Sequence, residues 1–169
     1  MFLDKFVLDG NITMKVGGVF LHPNQKVPVV FLVNEKEDEV ITLMVGFLEA
    51  RAIMVSYKQI ETPRPLTIDL TLALLDEKYG LKFEKIVIHS ITDGAFIADI
   101  YIKKNGELIK QDARPSDGIA LALRARVPIE VGARLINSRG GSEKENAKAL
   151  FEYLKSEADG TDELLFEQK

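Results

Sequence analysis

Eight charged side chains in the middle of the chain have the types and spacing for phosphate chemistry. Glu49 and Arg51 fall in one helical stretch, and Arg64 and Asp69 straddle the start of a second. Asp112, Arg114 and Asp117 surround the start of a third, and Arg124 follows on it. Clustered carboxylates can hold a hard divalent cation or orient a water, while the planar arginine fork matches phosphate oxygens. Glu49, Asp69, Asp112 and Asp117 are therefore the candidate catalytic carboxylates. Arg64, Arg114 and Arg124 are the candidate phosphate-binding groups. Asp112 and Asp117 are the candidate ligands of a divalent metal, Mg²⁺ or Mn²⁺. Residues 49–136 contain six of the seven arginines, so an anion site is expected there.

Other chemistries lack their residues. The chain has no cysteine, which excludes disulfides, thiolate metal sites and cysteine nucleophiles. Only two histidines are present, His22 and His89. His22 precedes a proline in a turn, and His89 adjoins Ser90 on a strand, where adjacent side chains point to opposite faces. Both read as structural. Neither a G-x-S-x-G elbow, a phosphate-loop spacing nor an H-E-x-x-H zinc pattern occurs. The arginines and carboxylates also have a purely architectural reading. Arg64-Pro65 and Arg114-Pro115 each stand before a helix whose first turns carry an acid, a pattern that proline geometry and the helix dipole favour on their own.

The elements that must position these residues follow from periodicity. Residues 14–21, 27–33 and 40–45 are β-branched and aromatic runs separated by turn residues, and read as three strands. Phe47, Ala50, Ile53, Met54 and Tyr57 switch to helical spacing over 47–58. A second helix is expected over 66–79, stopped by Gly80. Residues 84–91 return to strand character. Asn105-Gly106 is the strongest hairpin signal in the chain, because both central positions of a type I′ turn need positive φ. A two-residue turn there sets Lys104 against Glu107, Ile102 against Ile109 and Asp99 against Asp112. The last pair is unfavourable without a nearby cation, for which Arg114 or a metal ion would serve. A third helix is expected over 116–126 with Ser116 as its cap, followed by a strand over 128–136.

A linker at 137–141 then leads to an isolated amphipathic helix carrying Ala147, Leu150, Phe151 and Leu154, with Ser142 and Glu145 as a capping box. The expected architecture is α+β: a mixed twisted sheet with about three helices packed on it, plus the C-terminal amphipathic helix. Residues 1–136 form the main domain, and 137–169 the linker, helix and acidic tail. The net charge of −4 and pI near 5.3 exclude a general polyanion binder, so any contact with nucleic acid should be weak and salt-sensitive. No run is long and apolar enough to span a bilayer, and the expected setting is the cytoplasm. Self-association is left open as a homo-oligomer.

From Asp112 to Arg124 the chain reads D-A-R-P-S-D-G-I-A-L-A-L-R, followed by Pro128, Ile129 and Val131. This run resembles the bifunctional nuclease domain family, whose pattern is D-A-R-P-S-D-A-I-A-L-A-x-R and then P-I-x-V, with Gly118 in place of the usual alanine. Gly46, Glu49, Ala50, Ala52 and Ile53 match the family's G-x-x-E-A-x-A-I segment. Arg64 to Thr67 with Asp69 and Leu70 match its R-P-x-T-H-D-L segment, and Phe96 and Ala98 its F-x-A strand. The resemblance covers about residues 16–136 and implies a nuclease acting on DNA and RNA. Ile68 stands where the family has histidine. Thr42 to Val45 depart from its proline- and tryptophan-containing strand.

Two readings result. In the first, the chain is a metal-assisted phosphodiester hydrolase with water as nucleophile. In the second, it is a non-catalytic module binding a protein partner or small anion, and its arginine–carboxylate pairs brace the fold. Carboxylates converging on an open cleft favour the first; carboxylates each paired with an arginine in the interior favour the second.

Overall fold

The computed structural model describes residues 10–158. Two antiparallel meanders form the frame. The first is β1 (Asn11–Leu21), β2 (Pro28–Val33) and β3 (Val40–Met44); the second is β4 (Leu81–Thr92), β5 (Ala95–Lys104) and β6 (Glu107–Ala113). A short late strand, β7 (Ile129–Gly132), joins them by pairing antiparallel to β1 and parallel to β4. The result is one seven-stranded mixed sheet in the order β3-β2-β1-β7-β4-β5-β6. The α+β architecture read from the sequence is the one observed.

The helices divide between the faces. Helices α1 (Phe47–Tyr57), α2 (Thr67–Leu74) and α3 (Pro115–Ala125) share one core cluster with the sheet, in which Ile53, Met54, Ile119 and Ala122 meet Val30, Leu32, Ile86 and Ile100. Helix α5 (Gly141–Glu157) packs on the opposite face, where Ala147, Phe151 and Leu154 meet Val29, Phe31, Val33 and Val40. Strand β2 thus lies between two apolar layers. All six of its residues are buried, which is why its sequence, PVVFLV, shows no alternation. The Gly17-Gly18 pair sits at a register shift in β1, and a Cβ at Gly17 would press on the Phe151 ring at 2.9 Å. That bulge bends β1, which pairs with both β2 and β7, and brings the helix α5 face close.

Several expectations give way to the structure. The second helix ends at Leu74 rather than 79, and a single 3₁₀ turn (Glu77–Tyr79) precedes β4. The strand expected over 128–136 stops at Gly132, and Ala133–Ser138 form a further helix, α4, with Leu135 and Ile136 buried. Ser116 does not cap α3. Arg114 occupies the N-cap position without a side-chain bond, and Pro115 opens the first turn. Gly140, not Ser142, precedes α5, again without a side-chain cap.

The last helix is not isolated, because Phe151 is fully buried against β2. Nor is the connection before it loose. Arg139 is buried there, donating from Nε to Glu143 (2.7 Å) and from Nη1 to the Val40 carbonyl (2.6 Å). The acidic tail beyond residue 158 lies outside the described residues. Among the described residues no helix is long and apolar enough to cross a membrane.

Candidate arginine–carboxylate site

The β5–β6 hairpin adopts the expected register: Lys104 faces Glu107, Ile102 faces Ile109 and Asp99 faces Asp112. Asn105 and Gly106 both have positive φ, as the type I′ turn requires. Arg114 is not the cation that relieves the Asp99–Asp112 juxtaposition. Asp99 is nearly buried, with His89 Nε2 at 3.0 Å and Lys110 Nζ at 3.3 Å from its Oδ2. Ser90 Oγ lies 3.0 Å from His89 Nδ1, so Ser90, His89 and Asp99 are neighbours in a row where strand alternation argued against it. A register shift between Ile88 and Ser90 suspends the alternation locally, and nothing in the sequence marks that bulge.

Arg114 turns instead to the helices. Its Nε and Nη2 donate to the two oxygens of Asp117 at 2.7 and 3.0 Å, and its Nη1 donates to Glu49 Oε1 at 3.0 Å. Sequence alone explains the first contact: Arg114 and Asp117 stand three apart across a proline-initiated first turn. The second joins residues 65 apart and exists because α1 and α3 pack side by side. Asp117 first, and Glu49 second, raise the Arg114 pKa above its already high ordinary value. The guanidinium is nevertheless 65% exposed.

Arg114, Pro115 and Ser116 line an open cleft of about 570 Å³ with Glu49, the end of β3 from Thr42 to Gly46, and the β4–β5 turn at Gly94 to Phe96. The N-termini of α1 and α3 both border this cleft. Neither has a side-chain cap, so their first amides lack an intrahelical partner, with the Glu49 carboxylate folded over the start of α1. Gly46 leaves room at the start of α1 for the Glu49 carboxylate to fold back over it; a Cβ there would push that carboxylate aside.

Asp69 and Arg124 form a separate unit on the other side of α1. Arg124 Nε donates to Asp69 Oδ1 at 2.7 Å and its Nη1 to the Ile60 carbonyl at 2.8 Å; the Leu66 amide donates to Asp69 Oδ2 at 2.9 Å. The Arg124 bond above all holds the Asp69 carboxyl below its ordinary range, against burial. Arg124 therefore braces the entrance of α2 onto α3, with two of its three nitrogens committed inside the protein. Ile68 lines, with Asp69 and Arg51, a narrow slot of about 150 Å³ between α1 and α2. The position of the family histidine thus falls in this slot and not in the cleft of Arg114.

The sequence-predicted set is accordingly divided. Glu49, Arg114 and Asp117 converge; Asp69 and Arg124 pair elsewhere; Arg64 is an exposed loop residue outside both depressions. Asp112 is not brought to Asp117. Its neighbour Ala113 packs toward the core under α3, so alternation turns Asp112 to the opposite face of the sheet. Among the described residues no group of three or more histidines and carboxylates is arranged to hold a metal ion. Both oxygens of Asp117 and one of Glu49 are engaged by Arg114, so this donor set does not fit a divalent cation as it stands.

The profile of the bifunctional nuclease domain matches residues 30–144, which spans both units and the strands that hold them. The chain belongs to the bifunctional nuclease domain family. An uncharacterised protein of Mycobacterium tuberculosis is 35% identical over 127 residues, covering 75% of each chain. Bifunctional nuclease 1 of rice is 27% identical over 115 residues, and its namesake in Arabidopsis thaliana 27% identical over 120. This chain corresponds to only about a third of those plant proteins, 34% and 35% of their lengths. Within the family motif, Gly118 has a local reason. Helix α3 lies so close to β4 that a Cβ there would run into the end of the buried Ile86 side chain.

Proposed function

We propose that the chain is a nuclease that hydrolyses phosphodiester bonds of DNA or RNA at the Glu49–Arg114–Asp117 cleft. The observation that carries this reading is the placement of Arg114, an exposed planar fork held between carboxylates from two helices at an open cleft bordered by two uncapped helix N-termini. A phosphate entering the cleft would have to displace Glu49 and Asp117 from the single Arg114 fork, and would then meet that fork and nearby backbone amides, donors suited to charge developing on transferring phosphoryl oxygens. As the Arg114 fork engages phosphate, its bonds to the carboxylates loosen. The freed Glu49 or Asp117 carboxylate is then placed to accept a proton from the attacking water as its oxygen bonds to phosphorus, while the P–O bond to the leaving oxygen breaks and that oxygen takes a proton from solvent.

The Asp69–Arg124 pair favours the second reading for its own part of the molecule, since its charges are satisfied inside the protein and leave little for a ligand. Cleavage of labelled DNA and RNA by the purified chain, with Mg²⁺, with Mn²⁺ and with chelator, is the test. Arg114→Ala, Glu49→Gln and Asp117→Asn are run alongside. The expected result is loss of about 100-fold or more in rate in Arg114→Ala while the fold is kept. Equal cleavage by all three variants, or none by the wild type under any condition, refutes the assignment.

A further inference from the structure

We infer that two copies of this chain associate through the exposed apolar faces of α1 and α2. Helix α2 has the sequence TIDLTLAL, and none of its residues is buried. Its one charge, Asp69, is turned inward to Arg124. Ile68, Leu72 and Leu75 pack on the core cluster, while Leu70 and Leu74, four apart, share the outer side at 55% and 62% exposure. The neighbouring end of β3 and the start of α1 add Met44 at 58%, Phe47 at 57% and Leu48 at 80% exposure. An apolar helix face belongs in an interior, and α2 has apolar residues on two sides but an interior on one only.

A second copy is the occupant this surface fits best. The five exposed side chains are all uncharged, with Arg51 beside Leu48 as a nearby exposed charge, and an apolar patch is complementary to itself across a two-fold axis. The exposed parts of these five side chains amount to roughly 1,200 Å² for a pair of copies, the area at which specific interfaces begin. The slot of about 150 Å³ beside Leu48, lined by Ala52, Val55 and Ile68, is open to receive an aliphatic side chain of the other copy. Met44 also lines the Arg114 cleft, so the seam between copies would run along the cleft rim. The inference does not depend on the chain being a nuclease.

Sedimentation equilibrium of the full chain at about 10 μM tests it, with dimer expected at a concentration where a micromolar dissociation constant is readily seen. Leu70→Asp and Leu74→Asp, both at exposed positions, are expected to weaken the dimer by about 100-fold while leaving the circular dichroism unchanged. Leu48→Lys, on the other helix, gives the same readout if either fails to fold. A wild-type chain that stays monomeric, or a dimer unaffected by the three charge substitutions, overturns the inference.

Discussion

Arg124→Ala and Arg114→Ala delete the same side chain from two arginine–carboxylate units of the same chemistry, and the structure assigns them opposite consequences. Arg124 is 14% exposed and Asp69 23%. Truncating Arg124 strands the Asp69 carboxylate, which keeps only the Leu66 amide, and leaves the Ile60 carbonyl without its donor. Breaking a fully buried ion pair costs about 3–5 kcal/mol; the partial solvation of Asp69 brings the expectation down to about 2 kcal/mol. For a chain of this size that lowers Tm by roughly 4–8 °C. Arg114 makes three comparable bonds but is 65% exposed, so water replaces them and the melt should match wild type. Cleavage should behave in reverse, lost in Arg114→Ala and retained at low temperature in Arg124→Ala. Differential scanning calorimetry and a nuclease assay on the same preparations read both. An Arg124→Ala protein that melts with wild type, or an Arg114→Ala protein destabilised as much as Arg124→Ala, would refute the division into an interior brace and an open site.

Three further outcomes are expected. Phe151→Ala should cost about 3–4 kcal/mol in urea denaturation, because the ring is buried against Phe31 and β2; a loss below about 1 kcal/mol would mean that α5 does not dock there. Stability should depend on pH through Asp69, whose folded carboxyl titrates below its unfolded one: the contribution is complete above the unfolded value and disappears as pH falls through the folded one. Acid melts of Asp69→Asn should therefore lose less stability below about pH 4 than wild type, and parallel curves would contradict this. In Gly118→Ala the gain in helix propensity, about 1 kcal/mol, opposes the displacement of buried Ile86, about 1–3 kcal/mol, so the variant should be net destabilised. Adding Ile86→Val, which removes the colliding methyl, should rescue it, and failure to rescue places the strain elsewhere.

The sequence determined what local chemistry determines. The type I′ turn at Asn105-Gly106 required positive φ at both positions, and that turn fixed the register down to Asp99 opposite Asp112. Arg114 and Asp117 were joined by their spacing on one helical turn, and the strands were legible from β-branched runs. The family was legible in the uninterrupted D-A-R-P-S-D run. What the sequence left open was everything set by packing between distant segments. Glu49 meets Arg114 across 65 residues, while Arg124, with the same side chain on the same helix, is claimed by Asp69 and the Ile60 carbonyl. Both lie on α3, ten residues apart, so they leave it in different directions, and only the placement of α1 and α2 decides which carboxylate each reaches. The amphipathic face of α5 was visible, but not its partner. The apolar run of β2 fitted any doubly covered strand, and the match of Phe31 to Phe151 exists only once the sheet order has been fixed. Helical periodicity states that a face must be buried; tertiary structure alone states against what, and whether an arginine nearby ends as a brace or as an open cation.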